Sequence, residues 1–553
     1  MISTQEFAKQ AARKYLQSIV FVDDEIYLPV PSNSVEIEVT TPTTMQIFAK
    51  PMEPTEEAIV EAHAGVPDEQ LAAHQTSGGR FHPKQLVESF ARERMVCALY
   101  EPQQDFPTDS DSDIFKLCER ADVVILDWDF HKEPGKKVKK LVQGLVSSAQ
   151  TTVPHHVRLC AIYTSTQNLK HVALELFGYL NQGGLDVKAD GEYKLNAGSA
   201  RIIVLGKPTS GRPADQMDAA EVKEENLAQR IIGEFASMHE GILPSIALHG
   251  LASIRTNTKK ILDKFQKGMD GAFLAHRGLI LPGDDAFEQI PELLAEEALA
   301  VMVDNWIDPD EAKTLAEDKI EQMGIQTVWT LKSGATDAPP GRLPNKLLKC
   351  GPRTINKKVS LTPEALKALH DELDTENISA QQRLAALYTS RTQYGDKRTL
   401  EFGTIIRYVK PGAEGTAVYA ICLMPQCDCV RLKQTTPYSF PFWELRADNK
   451  GESSKGIVVE LPEDKSFVEL FSMGKPRDQL WLEDFEAAAE GMVVAEKDND
   501  SAKFMFTGKS AKTFEWIAQL KPSHAQRIAH DIGTSFSRIG VLEAEWLRLK
   551  ADR

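Results

Sequence analysis

The chain has 553 residues, with 64 Lys and Arg against 80 Asp and Glu and a formal net charge of −16. It is too long for one hydrophobic core, so about three or four domains are expected, and 42% hydrophobic with 26% charged residues excludes wholesale disorder. The acidic balance argues against non-specific nucleic-acid binding by the whole molecule, and no run approaches the ~18 apolar residues of a membrane span.

The opening stretch, MISTQEFAKQAARKYLQ, reads as an amphipathic helix without the apolar segment of a secretory signal. Seven cysteines form an odd set with no paired spacing over most of the chain, which fits reduced thiols and a cytoplasmic location. Apolar runs then alternate with helical patterns up to about residue 210. The runs are Ser18–Val22, Met95–Tyr100, Val123–Leu126, Leu159–Tyr163 and Ile202–Leu205. Five such runs separated by helices predict an α/β fold with a doubly wound five-stranded parallel sheet. An insertion at about 28–82, rich in Pro, Thr, Glu and Gly, precedes the helix Pro83–Arg94. A second one, near Asn181–Ser199, carries Gly-Gly and reads as a hairpin.

Residues 216–331 read as a helical domain. In Leu251–Phe265 the residues Leu251, Ile254, Ile261, Leu262 and Phe265 share one helical face, and Leu293–Val303 follows the same period. Asp308-Pro-Asp-Glu311 is a good helix start. Residues 332–360 are a Gly/Pro/Lys linker. The C-terminal region, 361–553, reads as α+β and β-rich. It has helices at Thr362–Leu373 and Ser379–Thr392, then strands at Thr404–Tyr408, Ala417–Leu423, Cys429–Lys433, Ile457–Glu460 and Met492–Glu496. A last helix spans about Ser523–Leu549.

Chemistry concentrates at the ends of the N-terminal runs. The first ends Val22-Asp23-Asp24-Glu25, the third Leu126-Asp127, the fourth Tyr163-Thr164-Ser165 and the fifth Gly206-Lys207-Pro208. All four endings fall at the carboxyl edge of the expected sheet, where open α/β sheets bind ligands. Converging carboxylates repel one another, and a divalent cation such as Mg²⁺ relieves that repulsion with hard oxygen ligands. A carboxylate beside a metal, an ammonium and a hydroxyl can accept a phosphoryl group and form an acyl phosphate.

The segments IVFVDDE, VVILDWD, LCAIYTS and VLGKP resemble, in order and placement, the receiver domain of two-component response regulators. That resemblance implies a flavodoxin-like receiver over about residues 15–210, within a domain at 1–215. It makes Asp127 the phosphoacceptor, Asp23 and Asp24 the Mg²⁺ holders with Asp127, and the main-chain carbonyl of Asp129 a further ligand. Thr164 becomes the switch hydroxyl and Lys207 the phosphoryl contact. It also implies a histidine kinase as partner, and no enzymatic activity beyond self-phosphorylation and dephosphorylation. There are departures. The loop Asp127-Trp-Asp-Phe-His-Lys-Glu-Pro-Gly135 is longer than usual, and the usual aromatic switch position is Val204, with Tyr163 expected to point elsewhere.

Two rivals stand beside this reading. A pseudo-receiver would dock partners without phosphorylation. A haloacid-dehalogenase-like phosphatase, which Asp127-Trp-Asp129 also resembles, would use Thr164 or Ser165, Lys207 and Gly283-Asp284-Asp285 as its further motifs. His131 and the unexplained Val22-Asp23-Asp24-Glu25 ending weigh against it.

In the C-terminal region, Cys422, Cys427 and Cys429 have poor zinc spacing and read as small apolar core residues. His155-His156 reads as a loop beside Pro154. The last helix interleaves His524, Arg527, His530, Arg538 and Arg548 with Ile528, Ile532, Phe536, Ile539 and Leu542, a spacing that favours packing over nucleic-acid contact. AVYAICLMPQCDCVRL and FPFWEL resemble segments of large receiver proteins of bacterial defence gene clusters. That resemblance implies a GHKL-type ATPase as partner and a part in antiviral defence.

Overall fold

The computed structural model describes residues 3–26, 83–151, 157–279, 287, 289–322, 378–410, 417–447, 456–472, 479–488, 491–498, 501 and 503–536. The insertion at 28–82, the linker at 332–360, the helix Thr362–Leu373, His155-His156, Gly283-Asp284-Asp285 and the part of the expected last helix beyond 536, with Arg538, Ile539, Leu542 and Arg548, lie outside them. Two compact units are present. The described residues of the first run from 3 to 322 and of the second from 378 to 536.

The first unit opens with α1 (Thr4–Tyr15), capped by the Ser3 side chain on the Glu6 N–H, and β1 (Ser18–Val22). There follow α2 (Pro83–Arg92), β2 (Val96–Tyr100), α3 (Asp113–Arg120) and β3 (Val123–Leu126). A small hairpin of β4 (Asp129–Phe130) and β5 (Glu133–Pro134) leads to α4 (Lys136–Thr151), β6 (Arg158–Thr164) and α5 (Leu169–Gln182). Then come β7 (Lys188–Ala189), β8 (Lys194–Ala197), β9 (Ala200–Gly206), α6 (Ala214–Ala220) and α7 (Glu224–Met238).

The main sheet runs β2-β1-β3-β6-β9-β8-β7. Its first five strands are parallel, while β8 pairs antiparallel with β9 and with β7. The sheet therefore has seven strands where five were expected. The reason is that the Asn181–Ser199 insertion forms its hairpin in register with β9 and extends the sheet.

Alternation along the strands divides the core in two. Val20, Val22, Val124, Leu126, Ile162 and Val204 face α3, α4 and α5. Ile19, Phe21, Ile125, Tyr163 and Leu205 face α1, α2 and α7. Tyr163 and Val204 thus belong to opposite faces, as the strand period requires.

Beyond α7 lie α8 (Ile242–Thr256), α9 (Thr258–Leu262), α10 (Asp270–Leu279), α11 (Ile290–Asp304) and α12 (Pro309–Gln322). Helix α8 lies against α1 and buries the small side chains of Ser245, Ala252 and Ser253. The continuous helix expected over Leu251–Phe265 is broken at Asn257, and Leu251, Leu262 and Phe265 are exposed. Side chains compete for the backbone there: Thr256, Asn257 and Thr258 each donate to carbonyls three or four residues back.

The second unit holds α13 (Ile378–Thr389) and β10 (Ser390–Arg391). An antiparallel sheet is built from β11 (Thr404–Val409), β12 (Ala417–Cys422), β13 (Tyr438–Leu445), β16 (Leu480–Phe485), β17 (Glu496–Lys497), β18 (Phe504–Thr507) and β19 (Thr513–Leu520), with β10 paired to β19. A separate hairpin of β14 (Ile457–Glu460) and β15 (Phe467–Leu470), together with α14 (Pro522–Phe536), covers one sheet face. Ile528 and Ile532 are buried there. The other face carries an aromatic core of Phe440, Phe442, Phe485 and Phe514.

The strand expected at Cys429–Lys433 does not form. Gln426–Asp428 is a 3-10 turn, and Arg431 has φ 64°, which no strand admits. Met492–Glu496 contributes only a bridge from Val494 to Thr399, and β17 starts at Glu496.

Candidate functional site at the carboxyl edge of the parallel sheet

The parallel strands deliver Asp23, Asp24, Asp127 and Lys207 to one place. Asp23, Asp127 and Lys207 directly follow β1, β3 and β9, Asp24 is one residue further on, and the strand pairing fixes their registration. One carboxylate oxygen from each of Asp23, Asp24 and Asp127 lies within 4.8 Å of the others. The Lys207 ammonium donates to Asp23 Oδ2 at 2.6 Å and to Asp127 Oδ2 at 2.9 Å. Asp127 Oδ1 accepts from the Trp128 N–H at 2.6 Å, and Asp23 Oδ1 from the Glu25 N–H at 2.9 Å. Asp23, Asp127, Trp128 and Lys207 are buried, Asp24 is half-buried and Glu25 is exposed.

Burial is the largest influence on Asp127. It and the nearby Asp23 carboxylate outweigh the pull of Lys207, so the Asp127 carboxyl is pushed up to about 6. Burial disfavours the Lys207 ammonium, but Asp127 and Asp23 overcome this and hold it protonated. Three carboxylates facing one ammonium leave two negative charges uncompensated. A divalent cation would supply that charge, and these hard oxygens suit Mg²⁺.

Asp129 lies two residues beyond Asp127 in β4, with its side chain exposed. Its carboxylate is not among the three clustered groups, and burial and the Asp24 charge raise its proton affinity. Thr164 ends β6 and is fully buried. Its Oγ1 accepts from the Thr166 N–H at 3.1 Å and lies 3.0 Å from Thr166 Oγ1. The structure thus brings Asp23, Asp24, Asp127 and Lys207 into direct contact or close approach, while the Thr164 hydroxyl is engaged with its own loop.

The long loop after Asp127 is ordered as the β4–β5 hairpin. Its two turn residues, His131 and Lys132, have φ 53° and 66°, the left-handed conformation that two-residue hairpin turns of this kind require. The His131 N–H donates to Asp24 Oδ2 at 2.7 Å, and its Nε2 lies 3.0 Å from the Pro102 carbonyl. Gly135, at φ 70°, closes the loop. A Cβ there would stand 2.3 Å from the Trp128 ring.

Sequence reasoning missed Arg212. Its guanidinium is buried and donates to the carbonyls of Lys207 (2.7 Å), Thr164 (3.2 Å) and Thr166 (3.0 Å), and it pairs with Glu221. It ties the two loops that carry Thr164 and Lys207 to each other. A signal existed in Gly206, where a Cβ would collide with that guanidinium.

The cysteines of the second unit form no comparable site. Cys422 and Cys429 are buried and Cys427 is exposed. Burial pushes the Cys422 thiol well up and the Cys429 thiol up to about 12.

Residues 15–212 match the family model described as the response receiver domain. No curated protein and no solved structure matches the chain. The similarity supports a receiver domain over this segment, and with it phosphorelay signalling in general. Receiver domains generally bind Mg²⁺ in an acidic pocket, and a cluster of that kind is present here.

Proposed function

We propose that this protein is a phosphorelay signalling protein whose flavodoxin-like receiver domain, within residues 1–215, accepts a phosphoryl group on Asp127. The observation that carries this reading is the Lys207 ammonium held between Asp127 and Asp23 beside Asp24. Asp23, Asp24 and Asp127, with the Asp129 main-chain carbonyl, would hold Mg²⁺. The ion, when bound, neutralises phosphoryl oxygens.

The rest belongs to the chain. An Asp127 carboxylate oxygen attacks the phosphorus of the donor. A new O–P bond forms, the donor's bond to phosphorus breaks, and its electron pair leaves with the donor. Lys207 follows the charge from carboxylate to phosphoryl oxygen, and the Thr164 hydroxyl turns from Thr166 to donate to the phosphoryl group. Arg212 carries that movement between the two loops and to Glu221. Contacts with the helical segment 216–331 and the C-terminal region 361–553, joined by the 332–360 linker, would then shift.

The partner we propose is a histidine kinase or GHKL-type ATPase in the cytoplasm, in an antiviral defence setting. This rests on the resemblance of AVYAICLMPQCDCVRL and FPFWEL. No membrane and no nucleic acid enters the reading.

Incubation with Mg²⁺ and acetyl phosphate, followed by intact mass, tests it. Wild type is expected to gain one hydroxylamine-labile phosphoryl group, and Asp127→Ala none. No adduct together with no Mg²⁺ binding would leave a phosphorylation-independent docking scaffold. Steady phosphate release abolished by Asp129→Asn would favour the phosphatase.

A further inference from the structure

The second unit contains a cavity of about 280 Å³ beneath the β14–β15 turn. Its walls come from α13, β10 and the loop that follows, the β14–β15 turn, and β19. Four cationic side chains line it, Arg383, Arg391, Arg398 and Lys465, against the single carboxylate of Glu460. In a chain of net charge −16 this local excess of positive charge runs against the composition. Among the described residues, Arg383 and Arg391 form no ion pair, although the Glu401 carboxyl feels the charge of Arg391, and the Lys465–Glu460 separation is a loose 3.6 Å.

Arg398 is fixed differently. Its guanidinium stands 4.6 Å from the Phe504 ring centroid and 4.7 Å from that of Trp516. Its Nε, and the Ser390 Oγ in the same wall, find no hydrogen-bond partner among the described residues. Both of these atoms are buried, and Arg398 Nη1 donates to the Gly395 and Lys397 carbonyls, so Arg398 is a fixed positive charge behind the wall. The exposed guanidinium planes of Arg383 and Arg391, which match phosphate oxygens, are the donors an anion site needs. The rest of the lining is apolar, chiefly Leu387, Pro462 and Ile517. The volume lies just below the ~300–1,000 Å³ of drug-sized ligand pockets, which sets the ligand at the small end.

We propose that this cavity binds the phosphate group of a small phosphate monoester, with the ester's apolar part against Leu387 and Pro462. Arg391, Arg383 and Lys465 meet the phosphate, and Arg398 backs the site. The site lies wholly in the second unit and does not depend on receiver chemistry.

Calorimetric titration of the full chain, without Mg²⁺, tests it with inorganic phosphate, phenyl phosphate, phenol and a short single-stranded oligonucleotide. Both phosphates are expected to bind, phenyl phosphate more tightly, and phenol not at all. Arg391→Gln and Arg383→Gln, both at exposed positions, are each expected to weaken phenyl phosphate about tenfold, equivalent to about 1.4 kcal/mol. Three results overturn the proposal. One is no heat with either phosphate at millimolar concentration. Another is a heat that both variants leave unchanged, which would place the anion elsewhere, the Asp127 site included. The third is binding confined to a short single-stranded oligonucleotide, with a steep salt dependence, which would make the basic surface a nucleic-acid contact.

Discussion

At the scale of single residues, the Asp127 carboxyl sets a pH window. Its proton affinity is raised to about 6, so near neutral pH it is mostly ionised and below that value mostly protonated. A protonated carboxyl cannot serve a cation. Mg²⁺ is therefore expected to raise the melting temperature at neutral pH, with an effect that declines progressively below about pH 6, read by thermal unfolding with and without the ion. Asp127→Asn should abolish the Mg²⁺-dependent rise at every pH. Asp23, Asp24, Asp127 and Lys207 were legible in the sequence because each lies within two residues of the end of an apolar strand, and a parallel sheet sends all such endings to one edge. Arg212 was not legible, since a buried arginine in a loop reads like a solvated one until its partners, three carbonyls and Glu221, are in place.

Among elements, the β4–β5 hairpin holds the loop beside the acidic cluster under conformational cost. Lys132 at φ 66° is a left-handed non-glycine residue, a state costing ~1–2 kcal/mol. Lys132→Gly is expected to stabilise the protein by about 1 kcal/mol in chemical denaturation. Gly135→Ala is expected to cost at least ~2 kcal/mol, because strain at φ 70° adds to collision with the Trp128 ring. Strand positions in the first unit followed from apolar runs bounded by polar residues. The break in the helix at Asn257 did not, because the apolar period continues through it and only the side-chain hydrogen bonds of Thr256, Asn257 and Thr258 interrupt the backbone. Strand β13 was also missed. It contains Pro441, which pairs with Leu482, and a proline argues against strand on local grounds.

For the molecule as a whole, the opposite edge of the parallel sheet is fastened by Asp122. Its carboxylate accepts from the Gln17 and Ser18 N–H groups at 2.9 and 3.0 Å and from Arg255 of α8 at 2.7 and 3.0 Å. Burial alone would raise the carboxyl, but the Arg255 hydrogen bonds and the backbone donors hold it below its ordinary 3.8. Its stabilising contribution is thus complete above that ordinary value and is lost as pH falls through the lower folded one. Asp122→Ala strips α8 and the start of β1 of their common partner and is expected to cost ~3 kcal/mol near neutral pH, measured by urea unfolding. The same variant should flatten the acid limb of the stability curve. None of this was visible in the sequence, because Asp122 and Arg255 are brought together only by the docking of α8 on α1.

The hairpin that widens the sheet bears on the order in which the chain folds. Strands β8 and β9 are joined by the two-residue turn Gly198-Ser199, with Gly198 at φ 59°, so their pairing closes a minimal loop. Strands β1 and β2 pair Ser18 with Val96 and must first close the whole intervening stretch, at a larger entropic cost. A rate-limiting nucleus at the β8–β9 end, with β1–β2 pairing afterwards, follows from this difference. Truncating Leu195 or Ile202 should then slow refolding, while truncating Phe21 should chiefly speed unfolding. Stopped-flow φ-values ranked the other way would show that the strand bearing Asp23 assembles first.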